Sequence, residues 1–146
     1  MDTKIKPQFK FDNTFACSME GFFSHCQAES ANAPRWLQFN NVLAEELGLD
    51  PIALDSEAGL AIFSGNAAPE GSQPIAQAYA GHQFGGFSPQ LGDGRALLIG
   101  EVIDTQQRRR DIQLKGSGRT PFSRGGDGKA AVGPVLREYL VGEAMQ

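Results

Sequence analysis

A lysine, a glutamate and the glycines between them carry most of the chemistry that this sequence could perform. Lys115 closes a segment of alternating polar and apolar residues, and Glu138 follows 23 positions later. A lysine ammonium group is a mobile point charge for phosphate oxygens, and a carboxylate can hold it in place. Glycines let backbone N–H groups approach the same oxygens closely. The spacing favours a site for a nucleotide's phosphates, with two unconnected surface charges as the alternative.

The distribution of charge agrees with a local anion site. Residues 1–105 hold 5 basic and 13 acidic residues, a balance of −8, whereas residues 106–146 hold 8 basic and 4 acidic residues, a balance of +4. The whole chain has a net charge of −4, which argues against a nucleic-acid-binding protein. A basic segment on an acidic chain suits a small anion better than a polymer.

The basic segment is also rich in glycine, since 12 of the 18 glycines lie between Gly81 and Gly133. Three cations lie among these glycines: Arg119, Arg124 and Lys129. Contact with a bound anion and a role in keeping the surface soluble are equal alternatives for them. The run Arg108–Arg110 is instead interpreted as a solvated turn. A Walker loop is excluded, because it requires glycine at 123 and Ser or Thr at 130, where the chain has Ser123 and Ala130.

The bulk composition is that of an ordinary globular protein. The chain has 146 residues, with 40% hydrophobic and 21% charged residues. Its two cysteines are expected to be reduced thiols, and no Cys/His cluster predicts a metal site. No apolar run approaches the roughly 20 residues of a membrane span, and the N-terminal residues lack the apolar core of a secretion signal. We therefore expect a cytoplasmic protein without membrane partners.

Several elements are predicted to position the candidate residues. Asn40 and Gly48 are typical of the start and end of a helix. Residues 96–103 predict a buried strand, and residues 110–115 a strand with Ile112 and Leu114 on its apolar face. This alternation puts Lys115 on the opposite face, at the strand end. A helix with Pro134 in its first turn then carries Glu138. The predicted fold class is α+β, an antiparallel sheet with a helix.

The remaining segments give weaker predictions. Residues 1–30 are expected to be an irregular arm held to the domain by its phenylalanines, and residues 52–74 to be mixed and rich in turns. Residues 75–80 predict a short helix ended by Gly81, and residues 81–94 a long loop. We divide the chain into an arm and helix that pack on a lobe, and an incomplete nucleotide-binding lobe; the ranges are 1–74 and 75–146. Because the last helical pattern has no stop, an N-terminal fragment of a longer chain is expected.

Two long runs of this sequence closely resemble the selenoprotein O family. They are AQAYAGHQFGGFSPQLGDGRALLIGE and LKGSGRTPFSRGGDGKAAVGPVLREYLVGEAM, with a looser match over Phe39–Asp50. The resemblance covers about Ala76 to Met145. It implies a protein-kinase-like (pseudokinase) fold in a chain several times longer, of which this sequence would supply the small, N-terminal lobe.

The resemblance also implies an activity and the residues that serve it. The family transfers AMP from ATP to hydroxyl side chains (Ser, Thr or Tyr) of protein substrates. Nucleotide-contacting positions of the family match Gly92, Gly94, Arg95, Asp127 and Gly128. Lys115 matches the phosphate-binding lysine, and Glu138 its helix partner. The catalytic aspartate and the ligands for Mg²⁺, or for Mn²⁺ as an alternative, are expected beyond Gln146. This fragment is thus expected to contain no catalytic residue and no metal ligand of its own.

Three alternatives remain open at this point. One is a non-catalytic, pseudokinase-like regulator that binds ATP. A second is a protein uridylyltransferase that uses UTP. The third is a structural module whose glycines only shape hairpins.

Overall fold

The computed structural model describes residues 6–145. Its helices are α1 (Thr14–Ser18), α2 (Asn41–Glu46), α3 (Pro51–Leu54), α4 (Glu57–Phe63) and α5 (Val132–Ala144). Its strands are β1 (Phe23–His25), β2 (Ile75–Gln83), β3 (Gly86–Gly92), β4 (Ala96–Ile103) and β5 (Arg109–Lys115). The fold class is therefore α+β, as predicted. None of the helices within residues 6–145 is long and apolar enough to cross a membrane.

The five strands form one antiparallel sheet. Its hydrogen-bonded order is β1-β2-β4-β5, and β3 pairs with β2 outside this path. Strands β4 and β5 form a long hairpin whose register runs from Ala96 opposite Lys115 to Ile103 opposite Arg109. This register fixes Lys115 at the sheet end where β4 begins. The antiparallel sheet and both strands of this hairpin confirm the predictions.

The hydrophobic core lies on one face of the β4–β5 hairpin. Strand β4 is buried from Leu97 to Val102, while β5 buries only Ile112 and Leu114. Side chains from the N-terminal part complete the same core; they are Phe9, Ala44, Leu54 and Ile62. Burial of these apolar groups is the main stabilising contribution to the hairpin. It also confirms that Lys115 lies on the face of β5 opposite the core.

Local helix signals were also borne out. The side chain of Asn40 accepts a hydrogen bond from the Leu43 N–H at 3.0 Å and so caps α2. Gly48, just beyond this helix, has a φ of 72°, which a residue with a side chain rarely adopts. Pro134 lies in the first turn of α5, where its missing N–H costs no intrahelical bond.

The predicted helix at 75–80 and the predicted loop at 81–94 were wrong. These residues instead form the hairpin of β2 and β3. Ile75 and Ala76 are fully buried, and Ile75 pairs with both β1 and β4. Hydrogen bonds to neighbouring strands outweigh the weak helix preference of the Ala-Gln-Ala segment, because propensity yields to tertiary context.

The N-terminal predictions held only in part. Within the described part of the arm, the Phe9 ring is buried and stacks on Phe11 with centroids 5.1 Å apart, as expected of an arm held by aromatics. However, the arm also forms the short elements α1 and β1. Residues 52–74 are not merely turns, since they include most of α3 and all of α4. The Asp50 and Ser56 side chains cap these two helices.

The run Arg108–Arg110 is exposed, as the sequence suggested, but two of its residues belong to β5 and its side chains pair with carboxylates. The carboxylate of Asp104, whose side chain is 2% exposed, accepts from Arg108 Nε at 2.8 Å and from Arg110 Nε at 3.0 Å. Arg109 pairs with Asp12 and Glu101. These arginines therefore anchor the β4–β5 turn and the N-terminal arm.

Candidate functional site

Lys115 and Glu138 meet beside the end of β5. The Nζ atom of Lys115 lies 2.9 Å from Glu138 Oε1, and the two side chains are 39% and 52% exposed. An exposed ion pair of this kind contributes little to folding, typically less than about 1 kcal/mol. Its significance is positional, because the carboxylate holds the lysine ammonium group at one place.

The Glu138 carboxyl responds to this partner. The hydrogen bond from Lys115 lowers its pKa below the ordinary value, with further lowering from the charges of Lys115, Arg95 and Arg137. A lowered pKa means that the charged pair is favoured above the ordinary carboxyl pKa and is lost as the pH falls through the folded-state value. The pair is therefore intact at neutral pH.

A tight turn, Gly92–Arg95, joins β3 to β4 next to the lysine. A Cβ atom at Gly92 would lie 2.3 Å from the Phe122 ring, and one at Gly94 would lie 2.9 Å from the Phe122 carbonyl oxygen. Both positions therefore exclude a side chain. The Arg95 carbonyl accepts from the Gly116 N–H at 2.7 Å, which ties the turn to the residue after Lys115.

The glycine-rich loop at 116–129 folds back on itself. The Gly118 N–H donates to the Gly128 carbonyl at 3.3 Å. Gly128 has a φ of 69°, and a Cβ there would lie 1.9 Å from the Gly118 carbonyl oxygen, so only glycine fits. Next to it, the Asp127 carboxylate accepts from the Lys129 N–H at 2.9 Å. This crossing brings Asp127 and Gly128 back to the beginning of the loop, close to the strand end that carries Lys115.

These elements enclose a cavity of about 800 Å³. Six of the seven residues predicted for the site line it: Gly92, Gly94, Arg95, Lys115, Asp127 and Gly128. Glu138 does not line it and is connected to it through Lys115. Binding sites for small ligands commonly have about 300–1,000 Å³, so the volume suits a nucleotide.

The charged side chains around the cavity favour an anionic ligand. Four cations line it, namely Arg95, Lys115, Arg124 and Lys129, against two carboxylates, Asp93 and Asp127, which leaves a balance of +2 among the lining residues. Two carboxylates outside the lining, Glu138 and Glu29, pair with Lys115 and Lys129 and offset part of this charge. Besides Lys115, two further cations are held by neighbours: Lys129 Nζ lies 3.0 Å from Glu29 Oε2, and Arg124 donates to Gln83 at 2.8 Å. Lys129 and Arg124 thus lie at the cavity, whereas Arg119 is not among its lining residues.

The sequence interpretation missed several residues of this site. Tyr79 and Gln83 reach it from β2, which the sequence had placed outside any strand. Asp93 is buried inside the Gly-Asp-Gly turn, and burial raises the pKa of its carboxyl against the lowering effects of the Gln77 N–H, Tyr79 and Lys115. The hydroxyl side chains of Thr120 and Ser123 contact the same turn. In the sequence, only the position of Thr120 and Ser123 inside the glycine-rich loop indicated that they could belong to the site.

Glu29 links the N-terminal arm to the glycine-rich loop. Besides pairing with Lys129, its carboxylate accepts from the Arg119 N–H at 3.1 Å, and its N–H donates to the Ser117 carbonyl at 2.8 Å. The hydrogen bond from the Arg119 N–H and the pairing with Lys129 lower the pKa of this carboxyl. The arm therefore helps to shape the loop that borders the cavity.

Clusters of side chains that could hold a metal ion were sought in the part of the chain that the structure describes. Within residues 6–145, no group of three or more His, Cys, Asp or Glu side chains is arranged to hold one. Asp93 and Asp127 both line the cavity, and one oxygen of the Asp93 carboxylate accepts from the Gln77 N–H at 3.1 Å.

Comparison with known proteins gives a consistent result. Residues 6–146 match the family model described as protein adenylyltransferase SelO. The chain is 70% identical over 137 residues to a protein nucleotidyltransferase YdiU of Cereibacter sphaeroides, covering 94% of this chain and 28% of that protein. It is 64% identical over 136 residues to YdiU of Agrobacterium fabrum, covering 93% of this chain and 28% of the relative.

The match to the family model extends over nearly the whole chain, and it includes every residue that lines the cavity. The chain spans about 28% of the length of the curated relatives it matches, so the match concerns one part of those proteins. On this evidence the chain belongs to the SelO family of protein adenylyltransferases.

Proposed function

We propose that residues 6–145 form the nucleotide-binding part of an ATP-dependent protein adenylyltransferase, built as a kinase-like small lobe. The observation that carries the proposal is the ion pair of Lys115 and Glu138, 2.9 Å apart, at the edge of a cavity lined by glycines and cations. Family membership supports the reaction class. The pairing supports the role of Lys115 as the contact to the phosphates of ATP.

The proposed reaction is an attack of a protein hydroxyl on the α-phosphorus of ATP. A bond forms between the hydroxyl oxygen of Ser, Thr or Tyr and this phosphorus, while the bond to the bridging oxygen breaks and pyrophosphate leaves. Negative charge develops on the phosphate oxygens in the transition state. Fixed cations and N–H donors stabilise such charge strongly in a site that is shielded from water.

Each candidate residue has a defined part in this proposal. Lys115 contacts the phosphates and is held there by Glu138. The turn of Gly92, Gly94 and Arg95 has no side chain at its two glycines, so the nucleotide can approach its backbone. Arg95 adds one guanidinium group. Asp127 and Gly128 also line the cavity, and we assign to them a further contact with the nucleotide.

The proposal leaves two functions to other parts of a longer protein. A catalytic aspartate that accepts the proton of the attacking hydroxyl, and the ligands of Mg²⁺ or Mn²⁺, would lie beyond Gln146. A divalent ion would supply charge neutralisation at the phosphates. In the same proposal residues 1–74 support the lobe formed by residues 75–146, and the protein acts in the cytoplasm on protein substrates.

The position of the label on ATP tests the reaction class. The full-length protein is incubated with protein substrates and ATP labelled at either the α- or the γ-phosphate. AMP transfer predicts protein-bound label from α-labelled ATP alone. Label from γ-labelled ATP would indicate a phosphoryl transferase, and preferential transfer from α-labelled UTP would indicate a uridylyltransferase. Saturable ATP binding without any transfer would indicate a non-catalytic regulator.

A further inference from the structure

The Gly92–Arg95 turn is held from behind by two hydroxyl groups of the glycine-rich loop. Thr120 Oγ1 donates to the Asp93 carbonyl at 2.5 Å, and Ser123 Oγ donates to the Gly94 carbonyl at 2.6 Å. The next carbonyl of the turn, that of Arg95, accepts from the Gly116 N–H at 2.7 Å. Three successive carbonyl groups are therefore bound by one loop.

The two hydroxyl groups are themselves fixed in direction. Thr120 Oγ1 accepts from the Phe122 N–H at 3.1 Å, and Ser123 Oγ accepts from the Thr120 N–H at 2.8 Å. Each hydroxyl therefore donates to the turn and accepts from its own loop. A hydroxyl with both of its functions occupied has no free rotation, so the contacts to the turn are directional.

The planar peptide unit converts these contacts into an orientation of N–H groups. In a trans peptide, the C=O of one residue and the N–H of the next point in opposite directions. No cis peptide bond occurs in residues 6–145. With the Asp93 and Gly94 carbonyls turned towards the loop, the N–H groups of Gly94 and Arg95 must point away from it. Within residues 6–145 neither of these N–H groups donates to a protein acceptor.

We propose that Thr120 and Ser123 are positioning residues that aim the Gly94 and Arg95 N–H groups at the phosphates of the bound nucleotide. This inference rests on the proposed function and extends it to residues that the site prediction did not contain. Two successive N–H groups of a glycine turn form a concavity that suits an anion. Thr120 does not line the cavity, so its effect on a ligand is exerted through the turn.

Replacing Thr120 separates positioning from contact. In the full-length protein, Thr120→Val removes the hydroxyl and keeps the branched shape, whereas Thr120→Ser keeps the hydroxyl. We expect Thr120→Val to weaken ATP binding about tenfold, as for the loss of one hydrogen bond to a charged group, and Thr120→Ser to bind ATP within about twofold of the parent. Ser123→Ala removes the second carbonyl contact, but Ser123 also lines the cavity, so the variants of Thr120 carry the test.

Thr105→Val is the matched control. Thr105 Oγ1 also donates to a backbone carbonyl, that of Glu46 at 2.9 Å, and this residue does not line the cavity. We expect this variant to leave the Kd for ATP unchanged and to lower the unfolding temperature no more than Thr120→Val does, because its hydrogen bond is exposed whereas that of Thr120 is partly buried. Equal weakening of ATP binding by both variants would show a general loss of stability and would overturn the proposal.

The remaining outcomes are separable. If the parent protein binds ATP and Thr120→Val and Ser123→Ala bind it equally well, the positioning role is wrong and the proposed function stands. If the parent itself shows no saturable ATP binding, the proposed function fails. Should Thr120→Val not fold, Thr120→Ala takes its place, because it also removes the hydroxyl at a residue that does not line the cavity. Weakened ATP binding by Thr120→Ala but not by Thr120→Ser supports the positioning role, and equal binding by both overturns it.

Discussion

The ammonium group of Lys115 lies 2.9 Å from the carboxylate of Glu138, so the last residue of β5 and the middle of α5 meet beside the cavity. The two residues are separated in the chain by the whole glycine-rich loop. That loop crosses itself between Gly118 and Gly128, which allows the helix to return to the strand it follows. The ion pair and the loop are thus parts of one arrangement.

The first prediction concerns the glutamate. Glu138→Gln removes the charge that holds Lys115 but leaves a side chain of nearly the same size. We expect AMP transfer by the full-length protein to fall about ten- to a hundredfold, in line with the loss of a hydrogen bond between charged groups. The unfolding temperature should change little, because the pair is exposed. Initial rates with α-labelled ATP measure the effect.

Glu143→Gln is the control for this change. Glu143 is also exposed and on α5, where its carboxylate accepts from the Asn40 side chain at 2.7 Å. We expect transfer at the parent rate in this variant. A similar loss in both variants would mean that any change of charge on α5 impairs the protein, and that Glu138 has no specific role.

The second prediction concerns Asp104 and acid. Burial alone would raise the pKa of this carboxyl, but hydrogen bonds from Arg108, Arg110 and the Gln106 N–H outweigh it and hold the pKa well below the ordinary value. The resulting stabilisation is complete above the unfolded-state pKa of about 4 and is lost as the pH falls through the folded-state value. Asp104→Asn should therefore lower the unfolding temperature at pH 7.

Thermal unfolding of the parent and of Asp104→Asn between pH 7 and pH 3 measures this effect. We expect a difference on the order of 5 °C at pH 7 that becomes smaller below about pH 4. If the difference in unfolding temperature between the two proteins stayed constant from pH 7 to pH 3, the negative charge of Asp104 would not contribute to stability.

The third prediction concerns the close approach at Gly92. Gly92→Ala places a methyl group 2.3 Å from the Phe122 ring, which forces the turn or the ring to move. We expect a loss of about 1–3 kcal/mol in the free energy of unfolding, typical of overpacking, together with weaker ATP binding. Gly86→Ala, on the same strand with open space around its Cβ position, should cost much less.

A second substitution tests whether Phe122 is the cause. Phe122→Ala removes the ring that the new methyl group would meet. In a protein that already carries Phe122→Ala, the additional change Gly92→Ala should lower the free energy of unfolding only a little. The effects of substitutions at two residues in contact are not additive. Equal costs of Gly92→Ala with and without the ring would exclude this contact as the reason for the glycine.

Much of the site could be predicted because its elements follow local rules. The alternation of Ile112 and Leu114 with polar residues placed Lys115 on the exposed face of a strand end, and the structure agrees. Pro134 correctly indicated the start of the helix that carries Glu138. The alternation of polar and apolar residues, and the prolines and glycines that begin or end an element, are properties of short segments. They can therefore be interpreted without knowledge of the rest of the fold.

The errors concern features that depend on distant parts of the chain. The segment at 75–80 became a strand because β1 and β4 supply its hydrogen-bonding partners, and neither pairing can be inferred from its own residues. The ion pair of Arg109 with Asp12 joins residues 97 positions apart. The contact of Thr120 with Asp93 joins residues 27 positions apart, and no local pattern predicts it.

Transfer of label from α-labelled ATP by Lys115→Ala, measured in the full-length protein beside the parent, tests whether the ammonium group held by Glu138 serves the phosphates. The predicted result is a rate about 10²–10³ times lower, as for the loss of one preorganised electrostatic group, with an unchanged unfolding temperature. Incorporation at the parent rate would contradict the assignment, and Lys115 would then have no part in the transfer of AMP.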